Sequence, residues 1–149
     1  MIPTLSYSRE EGVPTMPSAV ARRRQGYEHE LEIREHRLIS DEPEERGGGD
    51  AGPTPTELLA ASLASCTAIT IEMYADRKEW ELGQVEVAVD FGTPSSDGSP
   101  SFQVEIKTPA DLTDEQRERV LEIAGKCPVH RTLAAQDVRI EDSLEMIEA

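Results

Sequence analysis

Three stretches of the chain alternate apolar and polar residues, which is the two-residue period of a β-strand with one buried face. They cover residues 27–33, 85–91 and 102–106. The second and third flank a turn-rich segment, so they are predicted to be adjacent strands of a meander. Short strands are also predicted over residues 37–40 and around residues 138–140.

A long helix is predicted from residue 55 because its start signal is complete. Thr54 is a typical N-cap residue, Pro55 takes the first helical position, and Glu57 completes a capping box with Thr54. The helical spacing continues to about Lys78, which gives about 24 residues and a length of roughly 36 Å. A helix of this length spans a whole small domain.

The predicted long helix carries two distinct faces. One stripe at three- and four-residue spacing is mainly apolar and consists of Leu59, Leu63, Cys66, Ile69, Thr70 and Met73. A neighbouring stripe holds only small residues, namely Ala60, Ala61, Ala64, Ser65 and Ala68. Small residues let another backbone approach closely, so we expect the helix to pack on both faces, with Cys66 in an apolar environment.

Two further helices are predicted towards the C-terminus. The segment Thr113-Asp-Glu-Gln116 is a second capping box, and the helix that follows it places Val120 and Cys127 on one face. Pro128 suits the first turn of a helix and not its interior. We therefore expect a break at Cys127 and a short helix from Pro128 to about residue 135.

The remaining segments show no period. Residues 41–50 contain three consecutive glycines and are predicted to be a loop that leads into the long helix. Residues 1–20 contain three prolines and are predicted to form an extended N-terminal arm, in which Ile2, Leu5 and Tyr7 alternate like a short strand. Residues 21–149 are predicted to form a single domain.

The composition fits a globular protein and disfavours several partners. Of the 149 residues 37% are hydrophobic, and ten glycines bring the apolar share to about 44%, which is a normal supply for a core. The 30 acidic side chains against 15 basic ones give a net charge of −15, which disfavours nucleic acids and anionic membrane surfaces. No apolar stretch approaches the roughly 20 residues of a membrane span, so a cytoplasmic protein is predicted.

The cysteines and histidines match no metal site, because no Cys-x2-Cys or His-x3-His spacing occurs. We expect neither a metal nor a nucleotide cofactor. Taken alone, Cys66 on an apolar stripe is typical of a buried, inert cysteine. Cys127 would cap the last short helix, where backbone N–H groups favour a thiolate, and His130 either assists it as a cation or only caps the turn.

Both cysteines lie in longer motifs. These motifs are Gly52-Pro-Thr-Pro-Thr-Glu-Leu-Leu-Ala-Ala-Ser-Leu-Ala-Ser-Cys66-Thr-Ala, Met73-Tyr-Ala-Asp-Arg-Lys78 and Lys126-Cys-Pro-Val-His-Arg-Thr-Leu133. Together they resemble the OsmC-like family of osmotically inducible and organic-hydroperoxide-resistance proteins, from about Tyr27 to the C-terminus. The resemblance implies an α+β fold in which two copies intertwine as a homodimer, with the long cysteine-bearing helix at the centre, packed against antiparallel β-sheet.

The same resemblance implies a thiol-dependent peroxidase that reduces organic hydroperoxides at sites in the dimer interface. Cys66 matches the peroxidatic cysteine, which becomes a sulfenic acid, and Cys127 matches the resolving cysteine, which then forms a disulfide with it. A lipoylated protein or another dithiol is the implied reductant. Ionising Cys66 inside an apolar environment would require roughly 4 kcal/mol for a pKa change of about three units, so a desolvated arginine is needed.

The family takes this arginine from the N-terminal strand region. In this chain the run Arg22-Arg23-Arg24 lies at a matching distance, and Arg24 is favoured, although a solvated basic turn is the alternative. The hydroperoxide-resistance branch of the family has a glutamate directly after the motif proline. In this chain that position is Thr56, and Glu57 follows one position later. Glu57 is therefore expected either to pair with the arginine or to serve only in the capping box.

Two other functions are compatible with the sequence. An OsmC-like dimer of this kind can bind a hydrophobic small molecule at its interface without turnover, in which case Cys66 and Cys127 only pack. A purely structural stress protein is the second alternative, and it predicts that Cys66→Ser costs stability without changing peroxide consumption.

Overall fold

The computed structural model describes residues 18–92 and 94–148. The chain opens with a three-stranded antiparallel sheet in the order β1 (Val20–Gln25), β2 (Glu28–Ile33), β3 (His36–Ser40). The predicted strand-like alternation of residues 2–7 lies outside the described residues. Residue 20, the last of the predicted arm, is already the first residue of β1. The basic run is therefore part of a strand and does not form the alternative solvated turn.

The first sheet is held partly by ion pairs between neighbouring strands. Arg22 on β1 pairs with Glu32 at 2.9 Å, and Arg37 on β3 pairs with Glu30 at 2.9 Å and with Glu32 at 2.8 Å. All six residues of β2 are half-buried, so the predicted contrast between a buried and an exposed face is absent from this strand. The arginine side chains of the flanking strands cover the glutamates and reduce that contrast.

A loop with one short 3-10 turn (Glu44–Arg46) joins this sheet to the long helix, as predicted for residues 41–50. The buried Asp41 carboxylate organises it by accepting hydrogen bonds from the N–H groups of Glu42 at 2.8 Å and of Gly49 and Ala51 at 3.1 Å each. Gly48 packs so closely that a Cβ there would lie 1.8 Å from the Glu42 carbonyl oxygen. The glycines therefore allow the loop to fold back onto itself.

The predicted long helix is present as α1 (Pro55–Lys78), and its capping box is formed. The Thr54 N–H donates to the Glu57 carboxylate at 2.7 Å, and the Glu57 N–H donates to the Thr54 hydroxyl at 3.3 Å. The buried residues follow a four-residue row consisting of Leu63, Thr67, Ile71 and Ala75. This row differs from the predicted apolar stripe, of which Leu59, Ile69 and Met73 are exposed.

By length and composition α1 could cross a membrane, with a mean hydropathy of 1.4 over its most apolar window. The sequence-based statement that no stretch approaches this limit was therefore wrong. Core helices of soluble proteins meet the same criterion, and α1 packs against strand and helix neighbours within its own domain. It contributes Ile71 and Ala75 to the core of that domain.

The second half of the chain covers one side of α1. It consists of β4 (Glu86–Phe91), β5 (Phe102–Lys107), α2 (Asp114–Ala124) and α3 (Pro128–Ala134). Strands β4 and β5 form an antiparallel hairpin in which Phe91 and Phe102 stack with ring centroids 4.3 Å apart. The main core lies between α1 and α2 and contains Ile71, Ala75, Leu82, Val120 and Ala124. The hairpin and both helices were predicted from the sequence.

The last predicted strand was wrong. Residues 135–148 contain no helix or strand, and Val138 and Ile140 are exposed. The strands of the described chain pair only within β1–β3 and β4–β5, so residues 138–140 have no neighbouring strand among them. Alternating apolar residues become a strand only where another strand supplies the hydrogen bonds.

Candidate thiol site

The structure brings Cys66 and Cys127 together although they are 61 positions apart in the sequence. Cys66 lies in the middle of α1, Cys127 is the N-cap of α3, and these two helices pack against each other. The two thiols are close enough for each to change the pKa of the other. Both cysteines are free; Cys66 is half-buried and Cys127 is 0% exposed.

The position of Cys127 follows from the local sequence. Helix α2 ends at Ala124, and Pro128 starts α3 as its first residue, so the chain turns sharply between them. Cys127 takes the cap position in this turn, where its sulfur accepts a hydrogen bond of 3.4 Å from the backbone N–H of His130. The predicted break and cap are both confirmed. The His130 side chain itself is exposed.

The surroundings act in opposite directions on the two thiols. Burial raises the pKa of Cys66, interaction with the Cys127 thiol raises it further, and the Val129 N–H and the Thr70 hydroxyl oppose this only in part. Burial alone would also raise the pKa of Cys127. Hydrogen bonding from the Cys66 thiol and from the N–H groups of His130 and Val129 outweighs burial, so the Cys127 pKa lies below its ordinary value.

Two threonines of α1, Thr67 and Thr70, lie near the cysteines. The Thr70 hydroxyl donates to the backbone carbonyl of Cys66 at 2.7 Å, the usual hydrogen bond of a helical threonine. The Thr67 side chain is 1% exposed, and its hydroxyl forms no hydrogen bond of normal geometry with any described residue. It nevertheless lies near enough to the Cys127 sulfur to favour the thiolate.

The other two predicted site residues lie elsewhere in the chain. Arg24 is on the exposed strand β1 and pairs with Glu28 at 3.2 Å. Glu57 is exposed in the capping box, nine residues before Cys66, which corresponds to about 13 Å along a helix. Among the described residues, no arginine is among the groups that chiefly set the Cys66 pKa.

Sequence reasoning missed Thr67. The signal was present, because Thr67 lies four residues after Leu63 and four before Ile71, on the row that α1 buries. Threonine is not counted as an apolar residue, so the sequence pattern favours a neighbouring row with larger apolar side chains. No cluster of potential metal ligands occurs in the described parts of the chain.

The arrangement supports two-electron thiol chemistry. Two neighbouring free thiols can be oxidised together to a disulfide, and a partly accessible Cys66 lies beside a fully buried Cys127. An oxidant approaching from solvent would therefore meet Cys66 first.

An α+β fold with a central helix and a paired-thiol site defines the class of this protein. The sequence model of the family described as OsmC-like protein matches residues 47–141, which include both cysteines. This match covers more than half of the chain, and the protein belongs to the OsmC-like family. No curated protein matches the sequence significantly.

Solved structures share the fold. One is a Psychrobacter arcticus protein described as an osmotic stress induced and detoxification response protein. It has a TM-score of 0.68 at 22% identity, and the match covers 80% of this chain and 90% of that one. An organic hydroperoxide resistance protein from Elizabethkingia anophelis has a TM-score of 0.62 at 19% identity, covering 84% and 92% respectively. Bacillus subtilis OhrB, another organic hydroperoxide resistance protein, has a TM-score of 0.56 at 22% identity, covering 82% and 93%.

Proposed function

We propose that this protein is a thiol-dependent peroxidase that reduces organic hydroperoxides through Cys66 and Cys127. The observation that carries the proposal is the meeting of two free thiols at the contact between α1 and α3. Membership of the OsmC-like family and the fold shared with organic hydroperoxide resistance proteins support the same reaction.

The proposed reaction has three steps. The Cys66 thiolate attacks the distal oxygen of the hydroperoxide, the O–O bond breaks, and protonation of the leaving alkoxide gives an alcohol and a Cys66 sulfenic acid. The Cys127 thiolate then attacks the Cys66 sulfur, forms the disulfide and expels hydroxide, which becomes water. A dithiol reductant, a lipoylated protein or a small dithiol, returns both sulfurs to thiols and is itself oxidised to a disulfide.

The first step needs a cation beside Cys66, because burial raises the pKa of that thiol. A second copy of the chain is the proposed source, since Arg24 lies on a fully exposed strand that is free to meet another protomer. Arg22 and Arg23 lie on the same strand and are the alternatives. In this arrangement Glu57 caps α1, and its place in the capping box supports that role over direct pairing with the arginine.

An intertwined homodimer is the proposed assembly. Ile69 is 54% exposed and Met73 is 61% exposed on the side of α1 turned away from its own core. The C-terminal segment also exposes Val138, Ile140, Leu144, Met146 and Ile147. Apolar side chains at this density normally face a partner.

The proposed location is the cytoplasm, where free thiols persist.

The decisive experiment is titration of the reduced protein with one equivalent of cumene hydroperoxide. We expect one intrasubunit Cys66–Cys127 disulfide for each peroxide consumed, measured by mass spectrometry and thiol counting. Cys66→Ser should abolish consumption, and Cys127→Ser should permit one oxidation followed by overoxidation of Cys66. Persistence of both free thiols in the parent protein would favour the alternative, a dimer that binds a hydrophobic small molecule without turnover.

Replacement of the proposed cation tests the activation of Cys66. Arg24→Ala should raise the Cys66 pKa by more than about one unit, because a desolvated guanidinium favours the thiolate. The measurement is the thiolate absorbance of Cys66 in the Cys127→Ser background as a function of pH. An unchanged titration would transfer the assignment to Arg22 or Arg23.

A further inference from the structure

The hydroxyl group of Thr67 differs from the other helical hydroxyl groups of this chain. Threonine and serine side chains inside helices usually donate to a carbonyl three or four residues earlier. Thr70 does so at 2.7 Å, Ser62 at 2.7 Å and Thr132 at 2.9 Å. Thr67 is buried within α1, yet its hydroxyl makes no such bond to the described backbone.

A buried hydroxyl without a hydrogen bond destabilises the protein, and at this position valine would fill the same space without that cost. The buried hydroxyl is therefore a candidate donor to a group on the elements that pack against α1. Thr67 on α1 and Cys127 at the cap of α3 are both fully buried, and these two helices pack against each other. The Thr67 hydroxyl lies close enough to the Cys127 sulfur to help lower the pKa of that thiol. The other groups acting on that sulfur are the Cys66 thiol and the N–H groups of Val129 and His130.

We propose that Thr67 is a positioning residue whose hydroxyl donates a hydrogen bond to the Cys127 sulfur when that sulfur is ionised. The bond holds the thiolate on the side of α3 that faces α1. Helix α1 carries Cys66, which directly precedes Thr67 in the sequence. When Cys66 has become a sulfenic acid, the held thiolate attacks the Cys66 sulfur, and hydroxide leaves as the disulfide forms. This inference rests on the proposed peroxidase function and adds a residue to its second step.

The primary test is a thiolate titration of reduced protein carrying Cys66→Ser, which leaves Cys127 as the only cysteine. Thr67→Val should raise the Cys127 pKa by about one unit, the size expected for loss of one hydrogen bond to a charged group. Thr67→Ser is the matched control, because it keeps the hydroxyl and should keep the Cys127 pKa near the parent value. The proposal is overturned if valine leaves the pKa unchanged, or if serine shifts it as much as valine does.

A second arm measures the step itself, with Cys66 present. After one equivalent of cumene hydroperoxide, Thr67→Val should slow disulfide closure roughly tenfold at neutral pH, because about a tenth of the thiolate remains. The difference from the parent should vanish at alkaline pH, where Cys127 is ionised in both proteins. A rate loss that is equal at every pH would indicate misplaced packing and would overturn the proposal.

Misfolding of the variant and failure of the proposed function can each be distinguished from failure of this inference. If Thr67→Val does not fold, as judged by circular dichroism, Thr67→Ala removes the same hydroxyl with less bulk and replaces it in both arms. If the parent protein forms no disulfide with any hydroperoxide, the proposed function fails, and the titration still decides whether Thr67 donates to Cys127.

Discussion

Asp41 is a buried carboxylate whose three hydrogen bonds come from the backbone of its own loop. The hydrogen bond from the Ala51 N–H is the main reason that the Asp41 pKa lies below its ordinary value; burial opposes it, and the Glu42 and Gly49 N–H groups reinforce it. The ionised form is therefore the one that the folded loop stabilises. This loop leads into α1, so Asp41 stabilises the segment that precedes the cysteine-bearing helix.

Asp41→Asn should lower the melting temperature at neutral pH, because the amide replaces an acceptor with a donor that faces N–H groups. The folded-state pKa is depressed, so the stabilisation is complete above the unfolded-state value of about 3.9 and is lost as the pH falls below it. Thermal unfolding followed by circular dichroism should show the gap between parent and variant closing in acid. Asp97→Asn, in an exposed turn, should have a smaller effect. A gap that is constant with pH would contradict the assignment.

At the residue scale, the sequence motifs were sufficient to predict that Cys66 and Cys127 meet. They were not sufficient for Thr67, because a hydroxyl becomes informative only when its lack of a partner is visible. Nor does a single chain decide the role of Arg24, which pairs with Glu28 among the described residues. The proposed activation of Cys66 by an arginine depends on contacts that no local pattern encodes.

Helix α1 explains why elements are easier to predict than their orientation. Its start at Pro55 and its end at Lys78 follow from the capping box and the helical spacing, both of which act locally. Which face is buried depends on what packs against the helix. Helix α1 packs against β4, α2 and α3. The row containing Thr67 and Ala75 is buried, whereas Ile69 and Met73 are more than half exposed.

The glycine-rich loop offers a test of packing at the scale of an element. Gly48→Ala should destabilise the protein by about 1–3 kcal/mol, because the new Cβ would lie 1.8 Å from the Glu42 carbonyl and the backbone must move. Gly125→Ala is the matched control, since its Cβ would find its nearest contact at 3.5 Å and its φ of −69° suits alanine. We expect Gly125→Ala to change the free energy of unfolding by less than about 1 kcal/mol in urea titrations. Equal effects of the two substitutions would contradict the packing argument.

At the scale of the whole molecule, the single chain leaves three features without a use inside it. Strand β1 is exposed along its length, α1 shows apolar side chains to solvent, and the alternating C-terminal segment has no neighbouring strand among the described residues. The homodimer proposed above would account for all three, because a second copy could cover α1 and supply strand partners. The prediction of a strand at residues 138–140 failed because no strand among the described residues pairs with this segment.

Disruption of the exposed face of α1 tests this assembly. In a symmetric dimer Met73 is buried twice, and each burial is worth about 1.5–3 kcal/mol, so Met73→Glu should raise the dissociation constant at least about a hundredfold. Leu121→Glu is the matched control, since it adds the same charge at a comparably exposed apolar residue on α2.

Sedimentation velocity over a range of concentrations measures the effect. The parent and Leu121→Glu proteins should sediment as dimers and have melting temperatures that rise with concentration, whereas Met73→Glu should sediment as a monomer. Because the proposed cation comes from the second protomer, the monomeric variant should also lose the low Cys66 pKa expected of the dimer. A parent protein that sediments as a monomer at every concentration would remove both the assembly and the proposed source of that cation.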